Sequence, residues 1–347
     1  MSEYVNLIQQ NVAPPTATKI GVYDSKGKMV GVIELGNLLY PRLGRKLYSV
    51  GGISDVHMDI STAEEDLTKA LSYCFDIEKV DFVCCAGDLT NNGTIPQLTK
   101  YKNLINDKVH NVTGNHDWYG VALNAENPIT AENYESIMGE PLYYSFEHGN
   151  DVFIMFGMSS CNTYDNNGGI FTTEQLQWLY ETLEENRNKR CFLVEHVFPS
   201  NSNKSCGNAY NLYGTEPMWG GTDGVVFESL LRHYSNVILI HGHSHIVYEL
   251  QTKTEEYPAN YDDYFGCHSI HLPSITQLRK KDSDGNSFKT VEGSQGCIID
   301  VYENHIVLRG RDFMNEKFLP IATYCLDTTL KTVEANTFTD STGTIVT

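Results

Sequence analysis

The 347-residue sequence has no apolar run of the length, about 18 residues, that a membrane-spanning helix needs. Its first segment, MSEYVNLIQQNVAPPTA, lacks the basic start and the apolar middle of a secretory signal peptide. The nine cysteines include no CxxC pair, and Cys84 and Cys85 lie side by side in an apolar run. These absences predict a cytoplasmic protein with reduced thiols and no membrane partner.

Basic residues are scarce, because 25 lysines and arginines stand against 44 aspartates and glutamates and leave a net charge of −19. No lysine- or arginine-rich stripe offsets this charge, so we expect no duplex nucleic acid as a partner. The sequence also lacks a GxGxxG motif after a strand and a Walker-type GxxxxGKS/T motif, which argues against a tightly bound organic cofactor. A negatively charged substrate would therefore need local positive charge, and bound metal ions are one source.

Three regions are expected along the chain. They are an N-terminal extension over residues 1–45, one large domain over residues 46–327, and a polar, threonine-rich tail over residues 328–347. The extension alternates around a turn at residues 25–28 and predicts a β-hairpin. In the domain, strands alternate with amphipathic helices up to about Gly266, and Ser61 with Glu64 forms a capping-box pattern that opens the first helix. The alternation predicts an α/β layered sandwich that ends in a β-rich segment.

Five of the predicted strands end in residues that commonly bind metal ions. These residues are Asp55 and His57 in SDVH, Asp88 in GDLTNNG, Asn115 in GNHD, His196 in VEHVF, and His243 and His245 in GHSH. Sites in α/β sheets assemble at the carboxyl ends of the strands. Each motif is weak alone, but the five together predict one metal centre with seven oxygen or nitrogen donors.

The motif series DxH, GDxxxxG, GNHD, a lone histidine and GHxH resembles the calcineurin-like metallophosphoesterase superfamily over about residues 47–249. The resemblance implies a four-layer α/β/β/α sandwich with two divalent or mixed-valence metal ions. It assigns Asp55, His57 and His245 to one ion, Asn115, His196 and His243 to the other, and Asp88 to a bridge between them. Mixed imidazole, carboxylate and amide ligands favour Mn, Fe, Zn or Co over Mg or Ca.

These ligands fit hydrolysis at phosphorus. Two ions about 3.5–4 Å apart can share a bridging hydroxide, which attacks phosphorus in line while the ions spread the phosphoryl charge. The resemblance places His116 over the substrate as the acid that protonates the leaving group, and makes Asp117 the residue that orients it. Gly242 would let the backbone approach the metals closely. His241 matches no ligand position, and is either a residue that supports a ligand or an inert strand-end histidine.

Departures from related branches favour a small phosphodiester as the substrate. The serine/threonine phosphatase branch has GDxVDRG, whose arginine clamps a phosphate monoester, whereas GDLTNNG has Asn92 at that place. Asp117 in GNHD, where other branches have glutamate, resembles the branch that acts on cyclic nucleotides and glycerophosphodiesters. A diester carries one negative charge and needs less cationic help, which fits a site without an obvious arginine.

Substrate specificity is expected in the irregular residues 200–221. Tyr210, Tyr213 and Trp219 could form a lid or stack on a base, and a surface loop with packed aromatics is the alternative. Two other functions stay open: a phosphomonoesterase, and a structural or interaction protein that keeps the metals and is tethered to an assembly through residues 1–45 or the tail. The complete ligand set and His116 favour an enzyme, since a structural metal site needs no catalytic acid.

Overall fold

The computed structural model describes residues 19–23, 29–34, 45–163, 166–197, 221–250, 261–264, 267–281, 288–330, 338–339 and 345–346. The predicted N-terminal hairpin is confirmed, because β1 (Lys19–Tyr23) pairs antiparallel with β2 (Met29–Glu34). The boundaries at residues 45 and 327 stay predictions, and most of the tail lies outside the described residues.

Two six-stranded sheets form the centre of the fold. The first contains β3 (Tyr48–Ile53), β4 (Phe82–Cys85), β5 (Val109–Asn111), β16 (Gln295–Val301), β17 (His305–Asp312) and β18 (Lys317–Asp327), in the spatial order β18-β17-β16-β3-β4-β5. In it, β3, β4 and β5 are parallel, and β16, β17 and β18 are antiparallel to their neighbours. The C-terminal β-rich segment thus completes this sheet, as the sequence predicts.

The second sheet carries the remaining long strands. It contains β6 (Tyr143–His148), β7 (Asp151–Phe156), β10 (Cys191–Val194), β11 (Val237–His241), β12 (Tyr261–Tyr264) and β13 (Cys267–His271), in the order β12-β13-β11-β10-β7-β6. Its four central strands are parallel and its two edge strands are antiparallel. Strands β7, β10 and β11 are buried at every residue, which is why they appear in the sequence as continuous apolar runs.

Helices and short hairpins connect these strands. The helices are α1 (Ala63–Ser72), α2 (Ile95–Leu104), α3 (Tyr119–Ala122), α4 (Ala131–Met138), α5 (Thr173–Glu185) and α6 (Gly221–His233). A π turn over Tyr73–Ile77 extends α1, and 3-10 turns cover His116–Trp118 and Tyr248–Leu250. The two-stranded sheets pair β8 (Ser160–Thr163) with β9 (Asn166–Ile170), β14 (Leu278–Lys281) with β15 (Phe288–Val291), and β19 (Phe338–Thr339) with β20 (Ile345–Val346). None of the helices in the described ranges has the length and apolarity needed for a bilayer crossing.

Two apolar clusters define the layers. The inner cluster fills the space between the sheets with side chains from both, such as Phe82, Phe153 and Phe192. The rings of Phe153 and Phe192 stack with centroids 4.6 Å apart, a contact that contributes about 0.5–1.5 kcal/mol beyond burial. The outer cluster joins the opposite sheet faces to helices, through residues such as Leu67 of α1 and Leu176 of α5. The predicted four-layer α/β/β/α sandwich is therefore confirmed.

The starts of α5 and α1 differ in how they are capped. Thr172 caps α5, since its hydroxyl accepts from the Gln175 amide at 3.2 Å while the Gln175 side chain accepts from the Thr172 amide at 3.0 Å. The capping box at Ser61 is wrong: α1 begins at Ala63, and its N-cap residue, Thr62, makes no side-chain cap. The Thr62 backbone is already helical, with φ −99° and ψ −10°, so the turn continues into the helix without an extended cap residue.

Candidate metal centre

The predicted metal ligands come from loops at the ends of strands in both sheets. Asp55 and His57 follow β3, Asp88 follows β4, Asn115 follows β5, His196 follows β10, and His243 and His245 follow β11. All seven are buried. Backbone hydrogen bonds join these loops, since the His57 amide donates to the Asp88 carbonyl at 2.9 Å and the Gly242 amide donates to the His196 carbonyl at 3.1 Å. The topology thus brings the strand ends to one place.

Two groups of side chains share the Asp88 carboxylate. The first group consists of Asp55, His57, Asp88 and His245. The second group consists of Asp88, His196 and His243. Within each group the donor atoms lie within 4.8 Å of one another. Asp88 Oδ2 lies 3.6 Å from His57 Nε2 and 3.2 Å from His196 Nε2. Asn115 joins the second group because its Oδ1 lies 3.1 Å from His196 Nε2. The geometry therefore matches two ion positions with Asp88 between them, although the role of each ligand stays a prediction.

The chemistry of the donor atoms fits metal ions. Asp55 Oδ1 and Asp88 Oδ2 are buried, and each faces an imidazole nitrogen, His245 Nε2 at 2.9 Å and His196 Nε2 at 3.2 Å. Buried carboxylate oxygens are costly unless a partner compensates their charge. The Nε2 atoms of His57 and His245 also face each other at 3.1 Å, a distance that two lone pairs do not favour without a proton or cation between them. Carboxylate, imidazole and amide donors suit the transition metals predicted from the sequence.

Backbone strain is concentrated in the ligands. Five of the seven have φ in the left-handed region: Asp55 at 56°, His57 at 47°, Asp88 at 52°, His243 at 74° and His245 at 60°. Such a conformation costs a non-glycine residue about 1–3 kcal/mol and is held only where the surrounding structure imposes it. Its concentration at these residues is typical of a functional site.

Two glycines allow the ligand loops to approach one another. A Cβ on Gly242 would lie 1.9 Å from Ser54 Oγ and 2.6 Å from Asp55 Oδ2. A Cβ on Gly114 would lie 2.2 Å from Asp88 Oδ1. Gly242 therefore permits a close backbone approach to the Asp55 ligand and its neighbour Ser54, while its predicted approach to the metals stays a prediction.

The protonation of the ligands is set by burial and by their neighbours. Burial, followed by the charge of His116, lowers the pKa of His57 well below its usual value, and burial with His196 lowers the pKa of His243 to about 3. Burial would raise the pKa of Asp88, but His196 and His116 hold it well below the usual range. His196 differs, because Asp88 and Asp55 outweigh burial and raise its pKa to about 10. Metal binding would therefore release a proton from His196.

His116 lies beside the ligands, half-buried, with its ring 4.5 Å from that of His57 between centroids. Its Nδ1 lies 2.8 Å from the Asn91 carbonyl, and its amide donates to Asp88 Oδ1 at 2.9 Å. The predicted role of Asp117, to orient His116, stays a prediction. The Asp117 carboxylate accepts four hydrogen bonds from the loops that carry Asp88 and Asn115, so it holds these loops in place beside His116.

Several groups that the sequence did not identify hold the ligands in place. The Ala86 carbonyl lies 2.7 Å from His196 Nδ1, and the Gln277 carbonyl lies 2.8 Å from His245 Nδ1. Such contacts fix the tautomer and leave Nε2 directed at the centre. The Tyr119 hydroxyl accepts from the side-chain nitrogen of Asn115, Nδ2, at 2.7 Å, which turns Asn115 Oδ1 towards the centre. Backbone carbonyls leave no signal in a sequence, whereas Tyr119 lies four residues after Asn115 and could have been considered.

Two buried histidines lie beneath the ligand loop. His241 ends β11 and pairs in register with His271 of β13, with ring centroids 5.6 Å apart. His271 Nε2 lies 2.7 Å from Ser244 Oγ, which also accepts from the Ile246 amide at 3.2 Å. Ser244 separates His243 from His245, so His271 supports that loop. The burial of His241 fits the predicted supporting role better than an exposed, inert one, although the role stays a prediction.

The predicted substrate residues are only partly described. Asn92 is exposed, and its amide donates to Gln97 Oε1 at 2.8 Å. Tyr210, Tyr213 and Trp219 lie outside the described residues, so their proposed contact with the substrate stays a prediction.

Comparisons with known proteins show what this chain is similar to. A search of curated protein sequences found no match. Among solved structures, the chain is similar to a predicted phosphoesterase from Streptococcus pneumoniae, at 11% identity and a TM-score of 0.38, over 81% of this chain and 97% of that one. It is similar to GAP50, the anchor in the inner membrane complex of Plasmodium, at 14% identity and a TM-score of 0.47, over 83% and 90% of the two chains. It is also similar to a phosphatase from Mycoplasma pneumoniae, at 12% identity and a TM-score of 0.37, over 80% and 92%.

A family model described as calcineurin-like phosphoesterase matches residues 48–247. This range contains every predicted metal ligand from Asp55 to His245 and the histidine, His116, that lies beside them. The two groups of donor atoms that share Asp88 are therefore found within the matched region. The chain belongs to the calcineurin-like phosphoesterase family.

Proposed function

We propose that the protein is a metal-dependent phosphodiesterase that hydrolyses a small phosphodiester of the nucleotide or glycerophosphodiester type. The observation that supports this most directly is the Asp88 carboxylate shared by two groups of donors, with His116 beside it. Asp55, His57, Asp88 and His245 would hold one ion, and Asp88, Asn115, His196 and His243 would hold the other. Such ions supply a Lewis acid for the phosphoryl oxygens and an activated water at neutral pH.

The place of His116 beside Asp88 and His57 supports a role as the general acid. Its Nδ1 donates to the Asn91 carbonyl, which leaves Nε2 to exchange a proton with the substrate. In hydrolysis, the oxygen of a water molecule forms a bond to phosphorus and the water gives up a proton to solvent. The bond from phosphorus to the leaving oxygen breaks, and protonated His116 gives its Nε2 proton to that oxygen. The ring contact with Tyr119, at 4.3 Å between centroids, and the Asn91 hydrogen bond limit rotation of the imidazole. His116 would therefore meet the leaving group without first changing its orientation.

The test compares bis(p-nitrophenyl) phosphate with p-nitrophenyl phosphate after reloading metal-free protein with Mn, Fe, Zn or Co. We expect diester hydrolysis to require metal and to exceed monoester hydrolysis. His116→Ala should lower kcat by about 10²–10⁴ with the metal content unchanged. Asp88→Asn should lose both ions and the activity together, while Asp107→Asn, which alters an exposed aspartate, should lose neither.

The other outcomes separate the alternatives. A preference for the monoester would favour a phosphomonoesterase. A protein that binds two ions but cleaves neither ester would contradict the proposal and favour a structural or interaction role for the metals.

A further inference from the structure

A short turn from the C-terminal part of the chain contacts ligands of the first group. The turn covers residues 274–277, between β13 and β14, and lies outside residues 48–247 that the family model matches. The Ile275 amide donates to the carbonyl of Ser54, directly after β3, at 3.1 Å. The amide of Gln295, at the start of β16, donates to the Ser274 carbonyl at 3.2 Å. The 274–277 turn is therefore fixed beside two neighbouring strands of the first sheet.

Two hydroxyls of the 274–277 turn hold the backbone of Asp55. Ser274 Oγ donates to the Asp55 carbonyl oxygen at 2.8 Å, and Thr276 Oγ1 donates to the same oxygen at 3.1 Å. Both side chains are buried, and a carbonyl oxygen has two lone pairs, so the two hydroxyls satisfy it. Asp55 has a left-handed φ of 56°, which persists only where the surrounding structure imposes it. The turn supplies part of that structure.

The same segment holds His245. The Gln277 carbonyl lies 2.8 Å from His245 Nδ1, and the Arg279 amide donates to the His245 carbonyl at 2.7 Å. His245 also has a left-handed φ, of 60°. Asp55 Oδ1 lies 2.9 Å from His245 Nε2, so the two residues held by this segment face each other within the first group.

The second group has supports of its own. The Ala86 carbonyl lies 2.7 Å from His196 Nδ1, and the Tyr119 hydroxyl accepts from Asn115 Nδ2 at 2.7 Å. Neither contact involves the 274–277 turn. The two groups of donors are therefore positioned through different parts of the chain.

We propose that the 274–277 turn positions the ligands of the first group and sets the affinity of the first ion position more than that of the second. The inference rests on the metal centre of the proposed function and adds the residues that hold one half of it. A ligand that is already held in place loses less freedom when an ion binds, so its supports raise the affinity. Ser274 and Thr276 are positioning residues, because they act on the ion position only through Asp55.

The experiment measures the two zinc dissociation constants of the full-length protein in competition with a chromophoric chelator. His57→Ala removes a ligand of the first group and His243→Ala a ligand of the second, so these variants show which constant belongs to which position. Thr276→Val keeps the shape of the side chain and loses the hydroxyl, and we expect it to weaken the first position about tenfold and the second much less. Thr276→Ser keeps the hydroxyl and should restore the affinity, whereas a side chain needed only for packing would not be rescued in this way.

Two more variants complete the design. Ser274→Ala should weaken the first position about 10–100-fold, because Ser274 Oγ also accepts from the amides of Thr276 at 3.0 Å and Gln277 at 2.8 Å and so holds the turn together. Ser49→Ala is the matched control. Ser49 is a buried serine at the opposite end of β3 from Asp55, and its hydroxyl donates to Asp300 at 2.7 Å. This variant also loses a buried hydrogen bond, but both zinc constants should stay unchanged.

Urea denaturation shows that each metal-free variant is folded, and if Ser274→Ala is not, Thr276→Val still tests the proposal because it keeps Ser274 Oγ on the Asp55 carbonyl. The proposal is overturned if Thr276→Val binds zinc as the original protein does, if both positions weaken equally, if Ser49→Ala weakens the first position as much, or if the original protein binds fewer than two zinc ions. Weakened binding at the first position, in a protein that hydrolyses neither ester, would contradict the proposed function and support this role. Metal-dependent diester hydrolysis with unchanged zinc constants in Thr276→Val would support the proposed function and overturn this role.

Discussion

Asp117 provides a sharp test of how this site is organised. Its carboxylate is fully buried and accepts from the amides of Leu89 at 3.2 Å, Thr90 at 2.8 Å and Gly114 at 2.8 Å, and from the Thr90 hydroxyl at 2.8 Å. Asp117→Ala removes all four acceptor contacts and leaves three backbone donors buried. A hydrogen bond to a charged group contributes about 1.5–3 kcal/mol, so simple addition would give far more than a single substitution usually costs.

Two effects reduce that sum. Burial and the nearby Asp88 raise the pKa of Asp117 to about 7, so the native protein already bears a cost for this carboxylate, and the variant is relieved of it. The four contacts also belong to one network and are not additive. We therefore expect Asp117→Ala to lower the free energy of unfolding by about 2–4 kcal/mol, and Thr90→Val, which removes one donor, to lower it by about 1 kcal/mol.

The assay is urea denaturation followed by circular dichroism, with metal content and kcat measured on the same samples. Because Asp117 holds the loop that carries Asp88 and Asn91, we expect Asp117→Ala to lose metal affinity and activity together with stability. If the variant unfolds like the original protein, keeps its metals and has only a lower kcat, the reasoning is refuted. The carboxylate would then act on the His116 ring directly, as the family resemblance suggests.

Two further predictions concern the metal loop and the far side of the first sheet. Gly242→Ala should weaken metal binding about 10–100-fold in a metal titration, because its Cβ would lie 1.9 Å from the Ser54 hydroxyl oxygen. Gly139→Ala is the control and should bind metal normally, because a Cβ on Gly139 meets nothing within 4 Å. Burial opposes ionisation of Glu78, but Arg309 and Arg311 hold its pKa below the usual value. The ionised Glu78 therefore stabilises the folded state fully above about pH 4.3, and this stabilisation is lost as the pH falls through the lowered pKa. Glu78→Gln should therefore lower the free energy of unfolding by about 2 kcal/mol or more at pH 7 and make it depend less on pH in urea denaturation at acid pH. The same dependence of the free energy of unfolding on pH in both proteins would contradict this.

The layers of the fold could be predicted because local sequence and tertiary packing agree. The apolar runs of β7, β10 and β11 are buried on both sides, and α5 begins directly after Thr172, whose side chain caps it. The start of α1 could not be predicted from Ser61, because the preceding turn already has a helical backbone at Thr62. The pairing of β14 with β15 was also missed, since the charged sequence LRKK gives no apolar alternation to mark a strand.

The metal centre could be predicted to the extent that its groups are side chains at strand ends. Asp55, Asp88 and His196 are such residues, and the parallel strands bring them together. Two backbone contacts of the site could not be predicted: the one between the Asn91 carbonyl and His116 Nδ1, and the hydrogen bond from the Arg279 amide to the His245 carbonyl. The first depends on the path of a backbone turn. The second depends on β14, which follows the ligand loop by more than thirty residues.

The arrangement of the ligands also has a consequence for mechanical cohesion. Both groups combine residues that follow strands of the two sheets: the first sheet contributes Asp55, His57 and Asp88, and the second contributes His196, His243 and His245. The facing His57 and His245 are 188 residues apart in the chain. An ion held there would cross-link the two layers, as a disulfide does, and would close a loop whose entropy alone corresponds to about 5 kcal/mol in the chain-entropy model of disulfides. If ions are bound there, a chelator would remove a cross-link between the sheets as well as the catalytic ions. A descendant without catalytic activity would then still be selected to keep the metal ligands, because the ions stabilise its fold.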